Sequence, residues 1–427
     1  MSEQATAAVP HAIKELALAE NGKRRIEWAF QAMPVLATIR KDFIKTQRFA
    51  DVRIAALLPM TPEAANLVIT LRDGGAKVAV CGAYPEAIED DIAASLVRDY
   101  ALPVFAVRHA TAEESAAHIT KALSEPPQIV LDQTGALTAA CIQDNGGLRD
   151  GAKPLLGSII QANEGTRKLR ALAQEGGLHF PILAGSRSLT RRVFYSRVGL
   201  GQSMLDAVTK SLNVLIAGLT VVVAGFGSTG RGIAGRAQAL GANVVITEVD
   251  PVRALEAAMA GYRVMSMADA ASIGDLFFTA SGNRSVISRE HFDKLRNGAI
   301  LANGGVADAE IDAGTLGQIA SGRRPFRPDV EEISMRDGRR VYLLARGKAL
   351  QGVMANVPSS VLDLSFANLA LSAEYLLKNR EQLRAEVYRV PVEIDRQVAR
   401  LKLEAMGAKI DRLTVEQEQY LAGLAEE

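Results

Sequence analysis

The residues best placed to do chemistry lie between Val221 and Asp250, where a β-branched run leads into a glycine-rich turn. Gly225, Gly227 and Gly230 have the spacing GxGxxG, and an Ala/Gly-rich segment and a second β-branched run follow. This order predicts the strand–turn–helix–strand unit that binds dinucleotides. The first glycine would make the tight turn, the second would let a pyrophosphate approach, and the third would let helix and strand pack closely.

Glu248 ends the second β-branched run. A carboxylate there would accept hydrogen bonds from both ribose hydroxyls and repel a 2′-phosphate, which favours NAD over NADP. The alternative is a nucleotide-free unit of the same fold.

The rest of the chain alternates apolar strand patterns with helical ones, which predicts an α/β protein with two doubly wound parallel-sheet (Rossmann-like) domains and a helical C-terminal return. Helices are expected on both sides of Pro34, with Trp28 in the core. A linking helix is expected over Met204 to Ala217. Further expected elements are strands at Arg53–Leu58, Lys77–Cys81, Val104–Val107, Gln128–Leu131, Val264, Leu276–Thr279, Ala299–Ala302 and Val341–Leu344, and helices at Thr61–Asp73, Asp90–Asp99 and Val361–Asn379.

Composition excludes several classes of function. The 427 residues carry 49 Lys and Arg against 48 Asp and Glu, a net charge of +1 that argues against a nucleic-acid partner. Two cysteines, Cys81 and Cys141, argue against a disulfide scaffold and for a reducing compartment. The chain has no long apolar run and no signal peptide, so we expect a cytoplasmic protein without a membrane partner.

The chain resembles the S-adenosyl-L-homocysteine hydrolase family from about Arg25 to Leu421. The resemblance is specific because it extends over all parts of the chain. The stretches that carry it are Arg25–Ala29, Met33–Leu36, Met60-Thr61 with Ala65–Leu67, Asp90–Ala94, Pro103–Ala106, Gly225–Gly230, Thr247–Pro251, Glu310–Asp312, Gly338–Arg340 with Leu343–Ala345, Ser365–Asn368, and Leu413-Thr414 with Gln419–Leu421.

The resemblance implies a substrate-binding domain over residues 1–197 to which 356–390 return, an NAD-binding Rossmann domain over 198–355, and a C-terminal helical arm over 391–427 that contacts a neighbouring subunit. A homo-oligomer, a dimer or a tetramer, is implied. The implied reaction oxidises the substrate's 3′-hydroxyl with NAD, eliminates the 5′ thioether, adds water and reduces the ketone again.

At the positions that the resemblance implies for proton transfer, this chain differs from its family. Arginine cannot act as a base, and valine and proline transfer no proton. Each lost acid or base typically lowers a rate by on the order of 10²–10⁴. The substituted positions are Pro59, Val306 and Val357 in place of histidines, and Arg191, Tyr195 and Ser196 in place of a lysine, an aspartate and an asparagine.

Other family features are reduced. The acidic cluster expected at Asp132–Thr134 keeps one carboxylate, and Thr166 remains from a threonine triplet expected after Glu164. The family's C-terminal lysine and tyrosine, which reach the neighbour's NAD, have no counterpart. The predicted cofactor-binding set is Gly225, Gly227, Ser228, Thr229, Gly230, Glu248, Val249, Thr166, Ala280, Ser281, Gly282 and Asn303.

Glu164, Tyr195, Arg191 and Asp132 are the predicted catalytic residues. Glu164 would bind a substrate hydroxyl. A phenol beside a guanidinium has a lowered pKa, so Tyr195 would exchange a proton with an alcohol or ketone, or else it packs in a refilled cavity. The guanidinium groups of Arg191, Arg192 and Arg167 bind a substrate carboxylate or phosphate, or are solvated. Arg231 and Arg253 are candidates for contact with phosphate or ribose.

No metal site is expected, because the five histidines, His11, His109, His118, His179 and His291, have no ligand spacing. Three hypotheses follow for the function. The first is an NAD-dependent enzyme with redox chemistry on a hydroxyl of a nucleoside-like or small polar substrate, without the standard hydrolysis. The second is a catalytically silent NAD-binding homologue that regulates or assembles with a partner. The third is S-adenosyl-L-homocysteine hydrolysis.

Overall fold

The computed structural model describes residues 9–143, 154–161, 163–305, 308–351 and 353–424, without the side chains of 163–165, 167, 168, 187 and 422–424. Its strands form two eight-stranded sheets with helices on both faces. The expected pair of doubly wound α/β units is confirmed. No helix of the described residues is long and apolar enough to cross a membrane.

The first sheet is parallel throughout, with the order β1-β4-β3-β2-β5-β6-β7-β16. Strand order reverses between β2 and β5, and the carboxyl edge at such a point is where open α/β sheets bind ligands. The strands are β1 His11–Ala12, β2 Arg53–Pro59, β3 Lys77–Ala83, β4 Val104–Phe105, β5 Ile129–Asp132, β6 Gly157–Ile160, β7 Ile182–Ala184 and, from the C-terminal part, β16 Val387–Arg389.

The second sheet has the order β10-β9-β8-β11-β12-β15-β14-β13. Strand β14 is antiparallel to both of its neighbours, β15 and β13. The strand order of this sheet reverses between β8 and β11. The strands are β8 Thr220–Ala224, β9 Asn243–Thr247, β10 Arg263–Val264, β11 Leu276–Thr279, β12 Ala299–Asn303, β13 Ala320–Arg327, β14 Val330–Met335 and β15 Arg340–Leu344.

The helices begin where local sequence favours a start; Thr61, for example, caps α3 through its hydroxyl, and Pro62 occupies the first turn. They are α1 Ala19–Gln31, α2 Pro34–Thr46, α3 Pro62–Asp73, α4 Asp90–Arg98, α5 Ala112–Ala122, α6 Ala136–Gln143, α7 Asn163–Gln174, α8 Leu200–Leu212, α9 Ser228–Ala239, α10 Pro251–Met259, α11 Met267–Ala270, α12 Arg289–Phe292, α13 Ala313–Ile319, α14 Ser359–Lys378, α15 Val392–Ala405 and α16 Val415–Leu424.

Three local predictions need correction. Trp28 is 74% exposed instead of buried, because α1 turns Ile26 and Ala29 toward the core. The linking helix α8 runs from Leu200 to Leu212, earlier than predicted, and a π-helix over Arg191–Gly199 precedes it. Strands β1, β6, β7, β13, β14 and β16 were not predicted.

The C-terminal part of the chain packs on the first sheet. Helix α14 lies against α2 and α3, and α15 packs on α14 and α2. The carboxylate of Asp363, on α14, accepts hydrogen bonds from the backbone N–H groups of Val35 and Leu36, which begin α2. Helix α15, which begins the predicted C-terminal arm, therefore packs within its own subunit.

Candidate functional site

The glycine turn of the second sheet has the backbone that a dinucleotide site requires. Gly225 follows β8 with φ of 99°, and a Cβ at this position would lie 2.8 Å from the carbonyl oxygen of Ala280. A Cβ on Gly230 would strike the Gly225 carbonyl oxygen, whereas a Cβ on Gly227 would meet no atom within 4 Å. Gly225 and Gly230 are thus packed tightly against backbone atoms, whereas free space lies next to Gly227, where helix α9 begins.

Glu248 lies after β9 with its carboxylate bound to backbone. One oxygen accepts from the Phe226 N–H at 2.7 Å, and the other accepts from the N–H groups of Val249 and Asp250. Desolvation raises the pKa of Glu248, but these backbone donors outweigh it, and the pKa lies below its ordinary value. Glu248 is therefore ionised at neutral pH and ties the glycine turn to the end of β9. Val249 is 97% exposed beside it.

The loop after β11 lies next to the glycine turn. Ser281 donates from its backbone N–H and its hydroxyl to the Glu310 carboxylate, each at 2.9 Å, and the Gly282 N–H donates to the same group. Glu310 is fully buried. This carboxylate, for which the sequence predicted no role, shapes the loop at Ala280–Gly282.

Asn303 ends β12 and is fully buried. Its amide donates to the Gly347 carbonyl at 3.1 Å, and its side-chain oxygen accepts from the hydroxyl of Thr279 and the N–H of Gly305. Asn303 thus joins the ends of β11 and β12 to the segment after β15.

The two arginines near the fingerprint have partners in the protein itself. Arg231 donates to the Phe226 carbonyl and to Glu256 at 2.5 Å, and Arg253 pairs with Asp250 at 3.8 Å. Ser228 and Thr229, in the first turn of α9, are partly exposed.

Asp132 ends β5 and is 1% exposed at the carboxyl edge of the first sheet. Its carboxylate accepts from the backbone N–H groups of Thr134, Gly135 and Thr138, at 2.7 to 3.0 Å. These bonds cap α6. The structure therefore gives Asp132 a structural task, and its catalytic role stays a prediction.

Tyr84 and Gln133 follow β3 and β5, the strands on either side of β2, and their side chains are hydrogen-bonded to one another. Their contact passes the end of β2 at Pro59. Desolvation of the hydroxyl raises the pKa of Tyr84 even though the residue as a whole is part exposed. Each residue directly follows a predicted strand, and a substrate site is expected at these carboxyl ends of the sheet.

Arg191 and Tyr195 lie one turn apart on the π-helix, with the guanidinium carbon 4.4 Å from the centre of the tyrosine ring. The predicted lowering of the Tyr195 pKa is wrong. Burial raises this pKa, and the opposing effect of the Arg191 charge is smaller. Tyr195 is 8% exposed, and desolvation of the phenolate therefore dominates.

The two carboxyl edges are joined through Tyr195. Its hydroxyl oxygen accepts from Nε2 of Gln351 at 2.5 Å. The preceding residue, Leu350, donates its N–H to the Asn303 carbonyl at 2.9 Å. A continuous path thus runs from the π-helix, which packs on α9 and α14, to the end of β12 in the second sheet.

At the carboxyl edge of the first sheet, two residues that the sequence did not single out carry unpartnered buried atoms, as do Ser365 and Ser372 on α14. Gln161 follows β6 and Ser186 follows β7, and they are 5% and 8% exposed. The side-chain oxygens of both have no hydrogen-bond partner. Ligands in such sheets lie at the carboxyl ends of strands, but β6 and β7 were not predicted, so the sequence carried no signal for these two residues.

Other predicted residues have structural surroundings or lie outside the description. Thr166 is buried on α7, and Val357 is buried in the apolar core of the second sheet. Thr190 donates its hydroxyl to Asp395 at 2.6 Å, which anchors the start of the π-helix. The side chains of Glu164 and Arg167, and all of Val306, lie outside the described residues.

Among the described residues, no group of three or more His, Cys, Asp or Glu side chains could hold a metal ion. His118 and His291 are buried, and burial lowers the pKa of each. Both rings are therefore mostly neutral at physiological pH.

Comparison with known proteins finds similarity over almost the whole chain. Residues 196–357 match the family model described as S-adenosyl-L-homocysteine hydrolase, NAD binding domain, and residues 10–153 match the model described as S-adenosyl-L-homocysteine hydrolase. The adenosylhomocysteinase of Aquifex aeolicus (strain VF5) is 45% identical over 411 residues, which are 96% of this chain and 98% of that protein.

Two further adenosylhomocysteinases are similar over the same extent. The protein of Gloeobacter violaceus is 43% identical and covers 97% of this chain and 96% of its own length. The protein of Sulfurisphaera tokodaii is 44% identical, with 96% and 97% covered. The chain therefore belongs to the S-adenosyl-L-homocysteine hydrolase family, and NAD is its cofactor.

Proposed function

We propose that this protein uses NAD for redox chemistry on a hydroxyl group of a nucleoside-like or other small polar substrate and does not carry out the standard hydrolysis. One observation carries the proposal. Where elimination and hydration would need proton carriers, Pro59 ends β2 and the Asp132 carboxylate is occupied in capping α6. Proline cannot move a proton, and the Asp132 carboxylate is engaged by three backbone donors.

Gly225, Gly227 and Gly230 fit NAD, since a Cβ would fill the turn at the first and last, while Gly227 leaves room for the pyrophosphate. Ser228 and Thr229 would present their N–H groups to it, and Glu248 and Val249 would lie beside the ribose. Ala280, Ser281, Gly282, Asn303 and Thr166 complete the proposed binding set. Bound NAD supplies the oxidising equivalents for the conversion of an alcohol to a ketone.

Tyr195 would act on the substrate oxygen. Since Gln351 donates to its hydroxyl oxygen, the tyrosine proton is left to donate to a ligand. Burial raises the pKa of Tyr195, so the hydroxyl keeps its proton at neutral pH. Tyr195 therefore suits donation to a carbonyl oxygen, the direction of ketone reduction, better than it suits removal of a proton from an alcohol.

The experiment is to measure the NAD content of the purified protein and then the NADH absorbance after mixing with a panel of nucleosides. The proposal predicts bound NAD and an increase in NADH absorbance with at least one nucleoside. Bound NAD without any redox change would overturn it in favour of the catalytically silent homologue.

Hydrolysis of S-adenosyl-L-homocysteine is the second candidate. The observation that favours it is the 45% identity with an adenosylhomocysteinase over 96% of this chain. The similarity to known proteins by itself supports this candidate better than the redox-only reaction. Release of homocysteine from S-adenosyl-L-homocysteine tests it. Arg191→Lys combined with Tyr195→Asp is not expected to raise this release, because Pro59 and Val357 would remain.

The proposed division of labour assigns substrate binding to residues 1–197 with 356–390, NAD binding to 198–355, and subunit contact to the arm 391–427. The exposed side chains of Tyr420 and Leu421 on α16, at 70% and 51%, support the last assignment. A cytoplasmic homo-oligomer is proposed, and light scattering of the protein with and without residues 409–427 tests the arm.

A further inference from the structure

Arg191 is a half-buried cation without an anion. Its guanidinium stacks on the ring of Tyr195, and no carboxylate of the described residues forms an ion pair with it. Several half-buried arginines are paired with carboxylates, for example Arg40 and Arg72 with Asp73 and Arg231 with Glu256. Arg191 therefore differs from these arginines in having its charge unmatched by the protein.

The surroundings of Arg191 are rich in hydrogen-bond donors and poor in negative charge. Tyr84 and Tyr195 both lie close enough to feel its charge, and both hydroxyls hold their protons because burial raises their pKa values. The nearby carboxylate, that of Asp132, accepts three backbone hydrogen bonds. No acceptor of opposite charge is left in this part of the edge among the described side chains.

The hydroxyl of Ser186 adds an independent observation. It is 8% exposed without a partner, and it lies five positions before Arg191, at the end of the adjoining strand β7. A buried hydroxyl without a partner costs free energy, so such a group indicates a ligand atom that completes its hydrogen bonding. The unpartnered oxygen of Gln161, at the end of β6, lies on the same edge.

We propose that the substrate carries an anionic group, a carboxylate or a phosphate, and that Arg191 binds it. A guanidinium presents parallel N–H donors that match either group, and partial burial strengthens the pairing. The hydroxyls of Tyr84 and Ser186 donate to the remaining anion oxygens. This inference rests on the proposed function, since it names the class of compound that the same edge receives.

Calorimetry of the NAD-loaded full-length protein tests the inference with three probes: adenosine, adenosine 5′-monophosphate and adenosine 5′-carboxylate. At least one anionic probe is expected to bind about tenfold or more tighter than adenosine. Arg191→Gln is expected to abolish that preference. Arg192→Gln, a matched change at the exposed neighbouring position, is expected to keep it.

Arg191→Lys provides a second variant that keeps the charge and loses the two-pronged geometry, and an intermediate preference is expected. The inference is overturned if neither anionic probe binds more tightly than adenosine, or if Arg191→Gln retains the preference while its NAD content is unchanged. The anionic probe that loses affinity in Arg191→Gln identifies the group as phosphate or carboxylate.

NADH absorbance recorded on the same samples separates this inference from the proposed function. An anion preference that depends on Arg191 without any NADH formation supports the anion site and contradicts the redox function. Oxidation of neutral adenosine without an anion preference supports the redox function and contradicts the anion site.

Discussion

The hydroxyl oxygen of Tyr195 accepts a hydrogen bond from the side-chain amide of Gln351 at 2.5 Å. Tyr195 belongs to the π-helix over Arg191–Gly199, and Gln351 belongs to the segment after β15 that pairs with Asn303 at Ala349. This side-chain contact thus joins the edge proposed to bind substrate to the edge proposed to bind NAD. π-Helical turns are rare and are frequently found at functional sites.

The first prediction is that Tyr195 and Gln351 are energetically coupled. In a double-mutant cycle with Tyr195→Phe and Gln351→Leu, we expect an interaction free energy of about 1 kcal/mol, the net value of a typical hydrogen bond. Denaturant unfolding of the four proteins measures it. Additive effects of the two substitutions would mean that the contact does not contribute to stability.

The second prediction concerns pH. Burial raises the pKa of Tyr195, so the phenol stays protonated between about pH 6 and 9, and the rate of NADH formation should have no inflection from this residue there. Wild type and Tyr195→Phe should therefore have pH profiles of the same shape. The folded protein holds this proton to higher pH than the unfolded chain, so its contribution to stability is lost above about pH 10. An inflection near neutrality that Tyr195→Phe removes would contradict the raised pKa.

The third prediction separates structural from catalytic roles for Asp132. Because its carboxylate caps α6, Asp132→Ala should lower the free energy of unfolding by about 1–2 kcal/mol. The rate per folded molecule should change little, whereas a lost acid or base would reduce it by on the order of 10²–10⁴. Asp312→Ala, which removes the cap of α13, is the matched control for stability. A large loss of rate in Asp132→Ala alone would show a catalytic carboxylate.

The fourth prediction uses the open space at Gly227. A Cβ there meets no protein atom within 4 Å, so Gly227→Ala should fold and melt like the NAD-free wild type. It should lose NAD, because the methyl group occupies the place proposed for the pyrophosphate. Gly235→Ala, later on the same helix, adds a methyl group 3.9 Å from the Tyr262 hydroxyl and should keep its NAD. NAD released by denaturation and counted per subunit measures both. Full NAD content in Gly227→Ala would exclude the proposed position of the pyrophosphate next to Gly227.

Sequence reasoning predicted the fold well where one signal determined the local structure. The valine run, the glycine spacing and the second β-branched run produced β8, α9 and β9 with Gly225 at positive φ, since only glycine adopts that conformation without strain. The strands around Pro59 were equally predictable because they are short, apolar and followed by helices.

The sequence could not predict features that depend on distant contacts. The π-helix at Arg191–Gly199 has no periodicity of its own that distinguishes it from an α-helix, and its start is held by Asp395, far along the chain. The helical spacing of apolar residues in α1 did not show whether Trp28 lies on the buried or on the exposed face of the helix. The pKa of Tyr195 is raised because the side chain is buried. The sequence shows that an arginine is four residues away, but it does not show how deeply the tyrosine is buried. Gln161 and Ser186 became visible only through their missing partners.

The most direct test of the central claim is homocysteine release from S-adenosyl-L-homocysteine, measured beside the Aquifex aeolicus adenosylhomocysteinase as the reference. Because the resemblance implies that more than one proton carrier is replaced, we expect release slower by about 10⁴-fold or more, from protein that holds its full content of NAD. Release within about tenfold of the reference would contradict the account and establish hydrolysis as the function.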